Sequence, residues 1–222
     1  MEVQFPPGAL VFGDWLNGRV RDSGSRGSGF DSRVPDKMEN STRPGYEYLS
    51  AYILGKVIQD LTVQFCNHFL KSPNDPNFPN YRQIDQMVQA ARSNSQNVAE
   101  GYSNPSLKGY IKLAGIAYGS NEELTKDYQD FLRQRTLQIW DKNHSKIREF
   151  REFRAVWLTT TSPNTPNLPN SPTEAANMLL TFCNMEGFLL KKLVASLLEK
   201  HEKVGGLTEE LYRKRAEYRR SH

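Results

Sequence analysis

The chain has 222 residues, of which 37% are apolar and 24% charged, and its formal net charge is +4. This length supports a hydrophobic core that needs no disulfide framework. No stretch approaches the roughly 20 uninterrupted apolar residues that span a bilayer, and the first residues lack the basic start and apolar run of a signal peptide. We therefore expect a cytoplasmic protein without a membrane partner.

The two cysteines, Cys66 and Cys183, each sit within an apolar helical pattern. Two are too few for a disulfide scaffold, and a buried thiol behaves as a small hydrophobic group. We expect both to be reduced and buried.

The N-terminal segment 1–45 is an irregular string of Gly, Ser, Asp and Arg residues without a helical or strand period. Its composition predicts a disordered tail. From residue 46 to 71, apolar residues recur every three or four positions, which predicts an amphipathic helix. Three prolines, Pro73, Pro76 and Pro79, then exclude a helix and predict a short loop.

Two further helices are predicted over 80–101 and 105–136. Asn80 is a good N-cap for the first. For the second, Asn104 is the predicted N-cap with Pro105 at the first helical position, where a missing amide hydrogen costs nothing. Gly115 and Gly119 lie inside this helix, where each glycine costs about 1 kcal/mol. Their presence predicts that another backbone approaches closely there.

A shorter helix is predicted over 146–158, followed by a linker over 159–172 rich in Pro, Thr and Asn. Ser171 and Glu174 form a capping box that opens a long helix over 173–204. Two glycines then end this helix, and a last short helix follows that ends near residue 220.

These elements predict an all-α protein, in which helices 46–71, 80–101, 105–136 and 173–204 form an up-and-down four-helix bundle. Residues 46–158 supply the bundle core with its first three helices. Residues 173–222 form a suffix with the long bundle helix and a short basic helix. No segment carries the alternation typical of strands.

Several short segments resemble the bacterial four-helix bundle protein family, which includes proteins encoded in intervening sequences of large-subunit ribosomal RNA and accessory proteins of diversity-generating retroelements. The segments of the bundle are Ala90-Ala91-Arg92-Ser93, Asn97-Val98-Ala99-Glu100-Gly101, Tyr110-Ile111, Ala117-Tyr118-Gly119-Ser120 and Glu123-Leu124. The region 174–215 is similar to a C-terminal suffix in one branch of that family. The sequence departs from the family at Gln89, where many members carry a base, and at Asn94 and Asn121, where most are apolar.

The resemblance implies a homo-oligomer, often a pentamer. In the retroelement branch it also implies a basic ring that binds a reverse transcriptase and nucleic acid. The suffix branch has no assigned activity.

The residues of the resembling segments also predict a structural motif between the second and third helices. Asn97, Glu100, Ser120 and Glu123 lie beside the small residues Gly101 and Gly119. Because polar groups in a close-packed interface must be satisfied, we expect these four side chains to form hydrogen bonds that lock the helix pair.

The positive charge of the chain is concentrated at its C-terminal end, since residues 187–222 hold nine bases and five acids while the rest is neutral. Five of these bases lie close together: Arg213, Lys214, Arg215, Arg219 and Arg220. They could complement the dipole of the last helix, which Glu209 and Glu210 open, or form a patch for phosphate groups. The sequence leaves both interpretations open.

A second basic cluster covers 133–154 and includes Arg148, Arg151 and Arg154, with aromatic residues between the bases. Bases beside stackable rings can bind single-stranded nucleic acid. Alternatively, the rings at 150, 153 and 157 form an apolar helical face and the bases form its solvated back, which is the interpretation that we favour.

The sequence predicts neither a metal site nor a cofactor. The four histidines (His68, His144, His201 and His222) are widely separated, and the Glu-x-x-His spacing of di-metal bundles does not occur. A helical ribonuclease would need an Arg and a His a few residues apart, and Arg215 and His222 fit that gap.

We therefore expect a non-enzymatic, homo-oligomeric bundle that acts as a scaffold or adaptor. The alternative is a nucleic-acid-binding accessory protein that uses the basic C-terminal residues, with nucleic acid or a nucleic-acid enzyme as its partner. A ribonuclease is the second alternative.

Overall fold

A computed structural model of the protein describes residues 44–71, 80–159 and 166–221, without the side chains of 154–159. All of these residues belong to one compact unit, 32–222. The predicted tail, apart from residues 44 and 45, lies outside the described residues, as do the loop prolines Pro73, Pro76 and Pro79.

The described residues form helices and contain no strand, so the all-α prediction is confirmed. The helices are α1 (Ser50–Phe65), α2 (Tyr81–Tyr102), α3 (Leu107–Gln134), α4 (Ser145–Thr159), α5 (Pro172–Val204) and α6 (Leu207–Ser221). A 3-10 turn, Gly45–Tyr48, precedes α1, and a π-helical turn, Cys66–Leu70, extends it.

The helix starts follow from capping side chains. The Asn80 side chain accepts a hydrogen bond from the Gln83 amide at 3.2 Å, as predicted. The predicted start of α3 is wrong: its N-cap is Ser106, and Pro105 lies outside the helix. Asn104 instead accepts a hydrogen bond from the Ser106 amide at 2.9 Å, because its side chain closes a turn two residues ahead of the cap.

Helices α1, α2, α3 and α5 enclose one core, in which α2 packs on α1 and α3, and α5 on α3 and α1. Across α2 and α3, contacts pair rising with falling residue numbers, as antiparallel helices do: Ser93 meets Ser120 and Gly101 meets Tyr110. Helices from both sides of the linker therefore share the same interior.

The two shorter helices lie outside this core. Helix α4 covers one side of it with the buried side chains of Ile147 and Phe150, and the Phe150 ring lies 6.5 Å from that of Phe182 on α5. Helix α6 buries none of its residues. In the described part of the chain, no helix combines the length and apolar character that a membrane crossing requires.

Candidate functional site

The core contains a carboxyl group that water does not reach. Glu186 lies on the inner face of α5, in an otherwise apolar run, and its exposed fraction is 0%. Asn94 on α2 donates a hydrogen bond from Nδ2 to Glu186 Oε2 at 2.7 Å. This pair links α5 to α2 through the centre of the bundle.

A glycine on α1 makes room for this carboxyl group. A Cβ atom at Gly55 would lie 2.6 Å from Glu186 Oε1 and 3.3 Å from Ser95 Cβ. Any side chain at position 55 would displace the carboxyl group or separate α1 from α2. The absent side chain of Gly55 therefore brings three helices together at Glu186.

Helix α3 joins the same region through Asn121. Its Nδ2 atom donates a hydrogen bond to the Cys183 carbonyl of α5 at 2.9 Å. Three buried oxygen atoms in this region have no hydrogen-bond partner: Asn94 Oδ1, Asn121 Oδ1 and Glu186 Oε1. We call Gly55, Asn94, Asn121 and Glu186 the polar layer, because each of the four core helices contributes one of its members.

Burial controls the charge of the polar layer. It raises the pKa of the Glu186 carboxyl to about 8, and the hydrogen bond from Asn94 offsets only part of that rise. Glu186 is therefore largely uncharged at neutral pH, which avoids the cost of a buried charge without a cationic partner. An uncharged carboxyl group can also donate a hydrogen bond.

The two buried thiols are uncharged, as Glu186 is. Cys66 and Cys183 are free and buried, and burial raises the pKa of the Cys66 thiol to about 12. Both remain protonated at neutral pH and pack as small apolar groups. The polar layer and the thiols are thus buried among the core helices.

The predicted motif between α2 and α3 is present only in part. Ser120 Oγ lies 3.0 Å from Ser93 Oγ, and Asn97 Nδ2 donates to the carbonyl and the hydroxyl of Ser93 at 2.7 and 2.9 Å. Glu100 and Glu123 are exposed and take no part in this network. The prediction is wrong for these two carboxylates, because the turn of each helix directs them to solvent.

The glycines of α2 and α3 differ in their surroundings. Gly101 is buried, and a Cβ atom there would lie 2.5 Å from the Tyr110 ring. A Cβ atom at Gly115 or Gly119 would meet no atom of the described residues within 4 Å. The predicted close approach of another backbone at these two positions is therefore wrong for the part of the chain that the structure describes.

The basic cluster around α4 has the arrangement of an amphipathic helix. Phe150 is buried, Phe153 is partly buried against the core, and Arg148 and Arg151 are exposed. The side chain of Arg154 lies outside the described residues. The described rings therefore form the inner face of α4, and they are not exposed among the bases.

The C-terminal bases do not form one uniform patch. Arg213 donates a hydrogen bond to the Val204 carbonyl at 2.9 Å, and Lys214 pairs with Glu210 at 2.6 Å. Arg215, Arg219 and Arg220 are exposed. The structure thus separates bases engaged at the junction of α5 and α6 from bases that face solvent.

In the loop before α4, the side chains of Asp141 and His144 accept hydrogen bonds that close turns. Asp141 accepts a hydrogen bond from the Asn143 amide at 2.9 Å, and His144 Nδ1 accepts one from the Lys146 amide at 3.3 Å. Among the residues that the structure describes, no group of three His, Cys, Asp or Glu side chains is placed to hold a metal ion. His222, the predicted partner of Arg215, lies outside them.

Gly55, Ser93 and Glu186 are site residues that were not predicted from the sequence. One signal was present, since Asn94 and Asn121 are polar residues on the apolar faces of their helices and Glu186 interrupts the apolar stripe of α5. Three polar residues on inward faces indicate a shared layer. Their pairing depends on the register of the helices, which the sequence pattern leaves open.

Comparison with protein-family models, with curated proteins and with solved structures finds no match to this chain. Its class is defined by the structure: an all-α helical bundle with a buried polar layer and an exposed terminal helix.

Proposed function

We propose that the protein is a non-enzymatic scaffold or adaptor that assembles from several copies of the chain in the cytoplasm. The supporting observation is the α3 notch, a set of residues formed by Gly115, Ile116 and Gly119 on the outer side of α3. Both glycines face open space, and Ile116 is 43% exposed.

The notch is costly for an isolated chain. Each glycine destabilises a helix by about 1 kcal/mol relative to alanine, and no contact with a described residue offsets this cost. A helix of a second copy could approach the α3 backbone closely at these two positions and cover Ile116.

The charges beside the notch favour a second copy of the same chain. Lys108 and Lys112 precede it, and Glu122 and Glu123 follow it along α3. An α3 helix that crosses in the antiparallel direction would bring Lys112 of one copy near Glu122 and Glu123 of the other. The buried, reduced thiols are consistent with the cytoplasm as the compartment.

Light scattering coupled to gel filtration tests the assembly. We expect the wild-type mass to be a multiple of 25.4 kDa, and five copies would match the family that the sequence resembles. The variant Gly115→Leu/Gly119→Leu should have a smaller mass, because two leucines fill the notch. Its helical signal should not fall, since leucine favours helices over glycine.

The control is Gln89→Leu, which places an apolar leucine side chain at an exposed position of α2. It should retain the wild-type mass. A wild-type mass near 25.4 kDa would exclude self-association. An unchanged mass for the glycine variant would exclude the notch as the interface.

A further inference from the structure

Helix α6 is held at its start on one side. The Glu209 carboxylate accepts a hydrogen bond from the Gly206 amide at 2.9 Å, and Arg213 donates to the Val204 carbonyl at 2.9 Å. Both contacts are with the chain that joins α5 to α6. They hold one side of α6 at this junction, the opposite side makes neither contact, and every residue of the helix except Ala216 is exposed.

The helical period separates the charges of α6 between these two sides. With 3.6 residues per turn, all three acids, Glu209, Glu210 and Glu217, fall on the half that also holds Arg213. The other half contains no acid. Its residues are Leu207, Thr208, Leu211, Tyr212, Lys214, Arg215, Tyr218 and Arg219.

Within the acid-free half, arginines and tyrosines lie side by side. Tyr212 is 75% exposed and Tyr218 is 64% exposed. Arg215 and Arg219 are exposed, stand one turn apart and make no ion pair with any described residue. We call Tyr212, Arg215, Tyr218 and Arg219 the basic-aromatic face.

We propose that the basic-aromatic face binds single-stranded nucleic acid. The planar guanidinium groups of Arg215 and Arg219 match the geometry of phosphate oxygens. The exposed rings of Tyr212 and Tyr218 offer surfaces on which unpaired bases stack.

The shared position of the tyrosines and arginines on α6 favours single-stranded nucleic acid over other partners. Stabilisation of the helix dipole explains acids at the start and bases at the end, but it does not explain why both tyrosines share the acid-free half with two arginines. A duplex would contact the arginines but not the tyrosine rings, because its nucleobases are already stacked on one another. Single strands use both groups.

Fluorescence anisotropy with the full chain and a labelled thymidine oligonucleotide of about 20 nucleotides tests the proposal. We expect Arg215→Ala/Arg219→Ala to weaken binding about tenfold or more, and to reduce the slope of log affinity against log salt by about 1.4, since each phosphate contact on a single strand contributes about 0.7. Tyr212→Ala/Tyr218→Ala should weaken binding about tenfold without changing that slope.

The matched control is Arg82→Ala/Arg92→Ala, which removes two exposed arginines from α2. Its affinity should stay within about twofold of the wild type. Because α6 buries no residue, the two α6 variants should keep the helical signal and the mass of the wild type. The α2 control should keep them too, since both of its arginines are exposed. This test is therefore independent of self-association.

Three outcomes would overturn the proposal. One is the absence of binding to the single strand, and another is equal weakening in the α2 control. The third is binding that is as tight for a duplex or for polyglutamate and that is insensitive to the tyrosine substitutions. The last result would assign the face to polyanions in general or to an acidic protein.

Discussion

The polar layer and helix α6 both contain charged and polar side chains, but they use them in opposite ways. In the layer, Glu186 is buried among three helices and burial suppresses its charge. On α6, the side chains stay hydrated and charged. The comparison shows that a polar residue acts on stability where helices enclose it, and is available for a partner where they do not.

The largest expected effect tests the enclosure itself. Gly55→Leu places a side chain where Glu186 Oε1 lies, so we expect a loss of about 3 kcal/mol or more in the free energy of unfolding. Chemical denaturation followed by circular dichroism measures it. The control Gln96→Leu, at an exposed position next to Ser95, should change stability by about 0.5 kcal/mol or less. Similar losses in both variants would show that Gly55 is not a close contact.

The second prediction concerns the proton on Glu186. Its pKa is raised on folding to about 8 from an ordinary value of 4.5, so the folded state binds the proton more tightly than the unfolded state. Stability is therefore highest below the ordinary pKa and falls as the pH rises through the folded-state pKa. Between these two pKa values, the free energy of unfolding falls by about 1.4 kcal/mol for each pH unit.

Glu186→Gln isolates this contribution. The amide cannot ionise and still accepts the hydrogen bond from Asn94, so the variant should be more stable than the wild type near pH 7.5 and equal to it near pH 4.5. Denaturation midpoints across this range give the comparison. Parallel pH profiles for the two proteins would contradict a buried, neutral carboxyl group.

A smaller effect on stability is expected for a pair of buried hydroxyl groups in the core. Tyr128 is fully buried and its hydroxyl lies 2.8 Å from Thr62 Oγ1, which donates its own proton to the Ile58 carbonyl at 2.7 Å. The tyrosine hydroxyl is therefore the donor of the pair. Tyr128→Phe should cost about 1 kcal/mol, and Thr62→Val more, about 2 kcal/mol, because it leaves a buried hydroxyl unsatisfied. If thermal unfolding showed a larger loss for Tyr128→Phe than for Thr62→Val, the tyrosine hydroxyl would not be the donor.

The smallest expected effect lies on α6. Arg215→Ala/Arg219→Ala and Tyr212→Ala/Tyr218→Ala should change the free energy of unfolding by about 0.5 kcal/mol or less, since no residue of α6 is buried. Calorimetry of both variants beside the wild type measures this. A loss above about 2 kcal/mol would show that α6 packs on the bundle, and the contrast between the two regions would fail.

Much of the local structure was readable from the sequence. Apolar spacing placed three of the long helices within about two residues of their observed ends, as for 80–101 against Tyr81–Tyr102 and 173–204 against Pro172–Val204. The predicted helix 46–71 was too long, since α1 covers only Ser50–Phe65, between a 3-10 turn and a π-helical turn. The start of α3 was misplaced because Asn104 and Ser106 are both good caps, and the choice between them depends on how the turn closes. The polarity of Asn94 and Asn121 was visible, but their partners were not.

Which residues form helices, and which side of each helix is apolar, follow from the periodicity and from capping chemistry within a few residues, so the sequence predicts both. The packing of the helices sets the rest: Gly55 lies against Glu186, and Gly101 is packed while Gly115 and Gly119 contact no described residue. These outcomes depend on the register between helices, and helical periodicity carries no information about that register.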